Sequence, residues 1–236
     1  MIMKDVSGEI QKSTADQEDY MGENHVSHSI STPLVEGAFD LSDEDKIEKI
    51  KFHFKSIMET LGMDMSDDSL QGTPNRVAKM YVKEIFKGLN PKDAPKASTF
   101  ENKYQYNRML VEKNIKVKST CEHHFLPMVG SAHIAYISTG KVIGLSKMNR
   151  IVDHFSRRPQ VQERLTRQIL QAMKEALNTD HVAVIVEAKH MCVTTRGIEH
   201  EHSSTVTVEY SGDFEKEDVK QEFLKFVGTD LMSYHG

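Results

Sequence analysis

Hydrophobic residues in the first third of the chain recur every three or four positions, which predicts two amphipathic helices. Ser42 precedes three consecutive acidic residues and is expected to cap the first helix, which would end near Gly62. Thr73 followed by Pro74 predicts the start of the second helix, and Gly88 predicts its end. These helices would form an N-terminal helical region ahead of the strands.

The hydrophobic period changes to two in the middle of the chain, where apolar residues alternate with lysines. This alternation predicts a strand over residues 115–121, and similar patterns predict strands over 129–137 and 141–145. Residues 181–193 are rich in valine, isoleucine and alanine and predict a largely buried strand. Residues 204–210 alternate again and are expected to be its partner strand.

Helical spacing also returns later in the chain. Ser146 is expected to cap a helix that ends at residues 157–159, and a longer helix is expected from about 160 to 177. Asp213 is expected to cap a last helix that ends near Gly228. Because helices and strands follow each other without a glycine-rich nucleotide-binding motif, the sequence predicts an α+β fold: an antiparallel β-sheet with helices packed on it.

Composition limits the class of protein. The chain has 236 residues and a formal net charge of -5, so no overall positive field would attract nucleic acid or an anionic membrane. It has no apolar run near the ~20 residues that span a bilayer and no secretory signal pattern. We therefore expect a cytoplasmic protein with no membrane or nucleic-acid partner. Residues 1–40 follow neither period and predict a disordered polar tail before one domain over 41–236.

The two cysteines of the sequence both have histidines close by. Cys121 and His124 have the short spacing with which one turn of loop chelates a zinc ion. Cys192 would be a third donor, which leaves one tetrahedral position for a water, as in catalytic zinc sites. If the long buried strand persists far enough, His190, Cys192 and Arg196 project into one site. Alternatively, the cysteines are small buried hydrophobes or form a disulfide, which a reducing compartment rarely maintains.

Two pairs of cations lie at predicted helix starts. Arg76 and Lys79 share one face of the second helix, and Lys147 and Arg150 lie together in the first turns of the next. An anion such as phosphate would be favoured there by the helix dipole. Taken singly, each pair is better interpreted as a solvated basic face.

Six ordered segments of the chain resemble the GTP cyclohydrolase I family, and the resemblance spans about residues 42–228. The segments are TPNRVAKMY at 73–81, STCEHHFLP at 119–127, HIAYI at 133–137, VIGLSKMNRIV at 142–152, RPQVQERLT at 158–166, and HMC with RG at 190–197. Because six segments match in order and at matching intervals, the resemblance is specific.

The resemblance implies a fold and an assembly that the hydrophobic pattern alone does not. The implied fold is the tunnelling fold, or T-fold, in which strands of neighbouring subunits join into a central barrel. The implied assembly is a homodecamer of two pentamers, with active sites at subunit interfaces. Within the chain, the resemblance divides the domain into a helical part over 41–95 and a catalytic T-fold part over 96–236.

The resemblance also implies a role for each candidate residue. The implied ligands of Zn2+ are Cys121, His124 and Cys192. The implied catalytic residues are His123 and His190, as proton-transfer groups, and Ser146, which would assist when the ribose opens. The implied contacts to the substrate GTP are Glu163 and Gln162 at the guanine and Arg76, Lys79, Lys147, Arg150 and Arg196 at the triphosphate.

Other functions are compatible with parts of this pattern. A T-fold relative could perform different pterin or deazapurine chemistry, such as nitrile reduction with a cysteine nucleophile and a nicotinamide cofactor. A zinc-stabilised nucleotide-binding regulatory protein would bind GTP without turnover. A zinc nucleobase deaminase is disfavoured because its His-x-Glu and Pro-Cys-x-x-Cys signature is absent from the sequence.

Overall fold

The computed structural model describes residues 30–96, 98–196 and 199–231, so most of the predicted tail lies outside the described residues. The helices are α1 (Asp43–Thr60), α2 (Thr73–Met80), α3 (Leu145–Ser156), α4 (Gln162–Leu177), α5 (Met191–Thr194) and α6 (Glu217–Leu231). The strands are β1 (Thr99–Glu101), β2 (Met109–Cys121), β3 (Pro127–Ile137), β4 (Lys141–Ile143), β5 (Pro159–Gln160), β6 (Val182–His190) and β7 (Thr205–Ser211). The predicted α+β class is confirmed.

The main sheet has five strands in the order β5-β2-β3-β6-β7. Its long strands pair antiparallel, and the short β5 alone runs parallel to its neighbour, pairing with the last two residues of β2. Gly130 lies at the closest approach of β3 and β6, because a Cβ there would lie 1.9 Å from the carbonyl oxygen of Glu187. The strands β1 and β4 form a separate two-stranded sheet.

Both faces of the main sheet are covered by helices. On one face, α3 and α4 pack through Met148, Ile151, Leu165 and other buried residues against the strands. On the other face, Phe223 of α6 packs with small residues of β3 and β6. Because β6 is buried on both faces over its first five residues, residues 182–186 are continuously apolar instead of alternating. This explains why the hydrophobic run after residue 181 predicts a buried strand correctly.

The N-terminal helices begin close to the expected residues. Ser42 caps α1, and its hydroxyl accepts a hydrogen bond from the backbone N–H of Asp45 at 3.1 Å. The second helix has Gly72 at its N-cap, and it becomes a π-helical turn over Tyr81–Ile85 before the expected end at Gly88. A Cβ at Gly88 would lie 2.0 Å from the carbonyl oxygen of His154, so this glycine permits close contact with the end of α3.

Several predicted boundaries are wrong, and among the strands β2 begins at Met109, six residues before the expected start. Ser146 does not cap α3: the helix begins one residue earlier, after Gly144, whose carbonyl accepts the N–H of Lys147 at 2.7 Å. Asp213 lies in a 3-10 turn and not at the start of α6, because the turn breaks the chain direction between β7 and that helix. The helix α6 continues past Gly228 to Leu231, since glycine only weakens a helix that is held by packing.

The strand predicted over 181–193 ends at His190, and this shortening matters for the site. The chain turns into the single helical turn α5, where the N–H of Thr195 donates to the carbonyl of Met191 at 3.0 Å. The expectation that residues 190, 192, 194 and 196 share one strand face is therefore wrong. Cys192 reaches the site from a helical turn, where its donor atom lies within 4.8 Å of those of Cys121 and His124.

The described end of the predicted tail contacts the domain. The carbonyl of Ile30 accepts a hydrogen bond from the side chain of Gln168 at 2.6 Å, and the hydroxyl of Thr32 accepts one from Arg158 at 3.1 Å. Residues 30–40 contain bends and a turn and join α1 without a helix or strand of their own. Among the helices of the described residues, none is both long enough and apolar enough to cross a membrane.

Candidate active site

Three potential metal donors converge where two strands end. Cys121 is the last residue of β2, His124 lies in the turn that follows, and Cys192 lies in α5 directly after β6. Met128 of β3 pairs with Ser119 on one side and with His190 on the other, so it brings the ends of β2 and β6 together. The donor atoms of the two cysteines and His124 all lie within 4.8 Å of one another.

The two thiols differ in their tendency to ionise. Burial raises the pKa of the Cys121 thiol, but hydrogen bonds with the side chains of His190 and His124 and with the backbone of the turn outweigh it and lower that pKa to about 5. Burial raises the pKa of Cys192, and the adjacent Cys121 raises it further. The first proton therefore leaves Cys121, and a cation would stabilise both sulfurs as thiolates.

This donor set fits zinc. Two sulfur atoms and one imidazole are ligands that zinc prefers, and three protein ligands leave a fourth position for water or substrate. Both cysteines are free thiols, so the donor atoms are not consumed by a disulfide. The carboxylates of Mg2+ or Ca2+ sites do not take part in this cluster.

Two further histidines border the donor cluster. The Nδ1 atom of His123 lies 3.8 Å from the sulfur of Cys121, and the His123 side chain is exposed. The Nε2 atom of His190 lies 2.8 Å from the Oε1 atom of Gln162. Because an amide oxygen only accepts, His190 carries its proton on Nε2. Its Nδ1 atom is then the nitrogen that can exchange a proton.

The first turn of α4 lies beside this cluster and holds it in place. Gln162 is 2% exposed, and its side-chain N–H2 donates to the carbonyls of Val186 and Thr205 at 3.0 and 2.8 Å. In this chain Gln162 therefore orients His190, whereas Glu163 on the next position is exposed. The expected contact between Gln162 and guanine would require its buried amide to leave these partners.

Arg164, the third residue of this turn, was not among the predicted site residues. Its guanidinium forms two hydrogen bonds with the carboxylate of Glu122, with Nη1–Oε2 at 2.5 Å and Nη2–Oε1 at 3.2 Å. Glu122 stands between Cys121 and His123 in the turn over residues 121–125, which carries two of the three potential metal donors and is called the metal turn below. Sequence spacing carries no signal for this contact, because the buried residues of α4 also include Gln162, Thr166 and Gln168, so a polar residue at position 164 does not stand out.

Comparison with known proteins agrees with this geometry. The sequence profile of GTP cyclohydrolase I matches residues 50–228. This chain belongs to the GTP cyclohydrolase I family. A protein named GTP cyclohydrolase 1 from Flavobacterium johnsoniae is 60% identical over 212 residues, which cover 90% of this chain and 95% of that protein. Proteins of the same name from Aeromonas hydrophila and Citrobacter koseri are 52% and 46% identical over 83% and 86% of this chain, and over 89% and 91% of their own lengths.

Membership of the GTP cyclohydrolase I family makes the T-fold the architecture of this sheet and its helices. The fold predicted from the sequence resemblance is thereby confirmed. The matched region contains both strand ends that carry the metal donors and the first turn of α4. It also contains the five cations expected at the triphosphate.

Those cations have surroundings unlike those of the donors. Arg76 is exposed and donates to the carbonyl of Ser69 at 3.1 Å, and Lys79 is exposed on the same short helix. Arg150 lines a cavity of about 500 Å3 together with Lys83 and Lys87 of the neighbouring helical segment. Lys147 is half-buried, and Ser146 is exposed at the start of α3.

Arg196 lies just after α5, four residues after the donor Cys192. It is exposed, and its positive charge lowers the pKa of Cys192, although burial and Cys121 act more strongly in the opposite direction. A phosphate held by Arg196 would therefore lie close to the cluster.

Proposed function

We propose that this chain is a zinc-dependent GTP cyclohydrolase I, which converts GTP and water to 7,8-dihydroneopterin triphosphate and formate. This reaction begins the biosynthesis of tetrahydrofolate and related pterins. The observation that carries the proposal is the convergence of Cys121, His124 and Cys192 beside two histidines, within the region that matches the family. The cytoplasmic location expected from the sequence stays a prediction.

Bound zinc would supply a water made acidic enough to attack C8 of guanine at neutral pH. The protein residues would move the protons. His123 is exposed beside the cluster and is suited to protonate the purine nitrogen whose bond to C8 breaks. His190 is held through Nε2 by Gln162, so its Nδ1 atom is suited to assist the opening and rearrangement of the ribose, with Ser146 as a second polar group. The carbon at C8 leaves as formate.

The substrate would be held by charge at both of its ends. Glu163 is exposed at the start of α4, where an ionised carboxylate can accept hydrogen bonds from N1 and the exocyclic amine of guanine. The triphosphate carries about four negative charges and requires several cations. The proposed ones are Arg76, Lys79, Lys147, Arg150 and Arg196.

The first experiment is an assay of the purified protein with GTP, with and without a strong chelator. We expect formate and a pterin that fluoresces after oxidation, in equal amounts, with both lost on chelation and restored by zinc. Protein that contains zinc and binds GTP but leaves it intact would overturn the proposal. That result would favour the nucleotide-binding protein without turnover.

A His123→Ala variant tests the proposed proton transfer separately from metal binding. We expect zinc content close to that of the parent and a fall in turnover of roughly 100-fold to 10,000-fold, the usual contribution of a general acid or base. A His53→Ala variant is the matched control, because His53 is exposed on α1. Unchanged turnover in His123→Ala would remove this residue from the mechanism.

We also propose that the chain assembles into a homodecamer of two pentamers. Within the described residues, β7 pairs only with β6, and β2 pairs with β5 only through its last two residues. The main sheet therefore presents backbone donors and acceptors at both edges, where another copy can add a strand. Val206 and Val208 on β7 are 55% and 45% exposed and provide apolar contact area at one edge.

Sedimentation velocity tests this assembly. A chain of 26.9 kDa gives a decamer of ten times that mass, about 269 kDa. A Val206→Pro variant removes one backbone donor from β7 and should dissociate the assembly and abolish turnover together if sites form between subunits. A monomeric parent that turns over GTP would contradict the assembly without contradicting the reaction.

A further inference from the structure

We propose that Arg164 and Glu122 form a positioning ion pair that fixes the geometry of the metal turn. The pair does not contact the reacting atoms itself. Its role is to hold the segment between Cys121 and His124. The donor His124 and the adjacent His123 then keep their positions relative to Cys121. The inference about turnover rests on the proposed function, but the inference about metal affinity does not.

The metal turn is tight and depends on support from outside. The N–H of Phe125 donates to the carbonyl of Cys121 at 2.9 Å, and the N–H of Cys121 donates to the carbonyl of Leu126 at 2.8 Å. Phe125 has a φ of 55°, a left-handed conformation that is unfavourable for a residue with a bulky side chain. Such a turn persists only where its surroundings hold it.

Glu122 connects the turn to the body of the protein through both its backbone and its side chain. Its N–H donates to the carbonyl of Gln160 at 3.1 Å. Its carboxylate accepts both hydrogen bonds of the Arg164 fork, and this bidentate arrangement fixes orientation as well as distance. A lysine could supply the charge but not the fork.

Stability alone does not account for this ion pair. The Arg164 side chain is 4% exposed and that of Glu122 is 18% exposed, so both charges have lost most of their water. The Nε atom of Arg164 is buried without a hydrogen-bond partner among the described residues. Apolar residues of similar size often replace such pairs without loss of stability, and sometimes with a gain. Its specific contribution is therefore the position of the turn.

The same helical turn also orients the other arm of the site. Gln162, two residues before Arg164, binds His190 at the end of β6, while Arg164 binds the turn after β2. Both strand ends that carry metal donors are thus tied to the first turn of α4. Residues outside the ligand shell commonly set the affinity of a site in this way.

The decisive variant replaces the whole pair with apolar residues, Arg164→Leu with Glu122→Leu, in the full-length protein. It removes both charges of the pair together, so we expect thermal unfolding close to that of the parent. Zinc affinity, measured by competition with a chromophoric chelator, should fall roughly 10-fold to 100-fold. The kcat should fall by a similar factor, while KM for GTP changes less than about 3-fold.

A matched control removes another ion pair of the same helix. Lys174 near the end of α4 lies 2.9 Å from Asp180, far along the helix from the metal turn. Lys174→Leu with Asp180→Leu should leave zinc affinity and kcat unchanged. An Arg164→Lys variant, which keeps the charge and loses the fork, should show an intermediate loss of zinc affinity.

Parent-like zinc affinity in the apolar double variant would overturn the inference and leave the pair a structural contact. If the double variant does not fold, Arg164→Lys decides by the same measurement, since it preserves the buried charges. A parent protein that releases no formate would defeat the proposed function. The zinc comparison between parent and variants would still test the ion pair.

Discussion

The proposed metal donors and the proposed phosphate-binding cations differ in what surrounds them. Cys121 is 5% exposed at a strand end, and the adjoining turn is fixed by a buried ion pair with Arg164. Arg76 and Arg150 are exposed on helices whose outer faces meet solvent in the single chain. Metal ligation is directional and needs donors placed within fractions of an ångström. Attraction between cations and a triphosphate acts over longer distances and tolerates flexible side chains.

This contrast predicts that the two regions fail in different ways. Loss of a donor should abolish the metal and the chemistry together. Loss of a cation should weaken substrate binding and leave the metal in place. The exposed cations also fit a site that is completed by a neighbouring subunit, as proposed above.

The largest effect is expected from Cys192→Ser. Serine is a poor zinc ligand at neutral pH, so the donor cluster would keep only two good ligands. We expect zinc to be lost on dialysis and turnover to fall roughly 1,000-fold or more, because the metal-activated water is lost. Metal analysis and the formate assay measure both. The matched control is Val193→Ser, which places a hydroxyl on the next, exposed residue and should keep zinc and turnover.

A smaller effect is expected from Arg150→Ala. A charge-assisted hydrogen bond to phosphate is worth about 1.5–3 kcal/mol, so KM for GTP should rise roughly 10-fold to 100-fold with little change in kcat. The difference from the parent should shrink at high salt, because exposed charges are screened. Lys103→Ala removes an exposed cation elsewhere and should leave KM unchanged. A loss of zinc in Arg150→Ala would show that the two regions are not separable.

Sequence patterns predict which strands and helices form this site better than they predict the residues at which those strands and helices end. The alternation before Cys121 predicted β2 because one face of that strand is buried and its lysines point outward. The apolar run after His181 predicts too long a strand, because apolar residues of α5 continue the same composition through a change of backbone direction. The T-fold itself came from resemblance, since periodicity does not specify how strands pair.

Long-range partners were the part that sequence could not supply. Arg164 and Glu122 are separated by 42 positions, and neither spacing nor propensity links them. The contact of Gln162 with His190 spans 28 positions and depends on the packing of α4 against β6 and β7. The sequence alone groups three candidate donors, Cys121, His124 and Cys192, because few residue types bind zinc and the chain has only two cysteines.

A third region, near the end of α3, is expected to make the stability of the protein depend on pH. His154 and Arg158 form a partly buried pair near the end of α3, with Nε2 of His154 accepting from Nη2 of Arg158 at 2.7 Å. Arg158 also donates to the carbonyl of Gly88 at 2.7 Å, and its own carbonyl accepts from Ser119 of β2 at 3.4 Å. The residues after Arg158 form β5 beside Cys121. The segment that leads into β5, beside Cys121, is therefore held in part by a hydrogen bond from Arg158 to the neutral imidazole of His154.

Protonation of His154 should weaken its hydrogen bond with Arg158. We expect this change to have the smallest effect of those considered. Burial, and then the positive charge of Arg158, lower the pKa of His154 to about 4, while Asp93 and Asp153 oppose the shift. The unfolded chain binds this proton near pH 6.5 and the folded chain does not, so the stability is fully present above that pH and is lost as pH falls toward 4. Between pH 7.5 and 5.5 the free energy of unfolding should fall by about 1 kcal/mol on this account.

A His154→Gln variant retains an acceptor for Arg158 without titrating, so urea unfolding at the two pH values should show a smaller difference than in the parent. If the free energy of unfolding changes equally with pH in both proteins, groups other than His154 cause the pH dependence, and protonation of this imidazole does not affect the stability of the site.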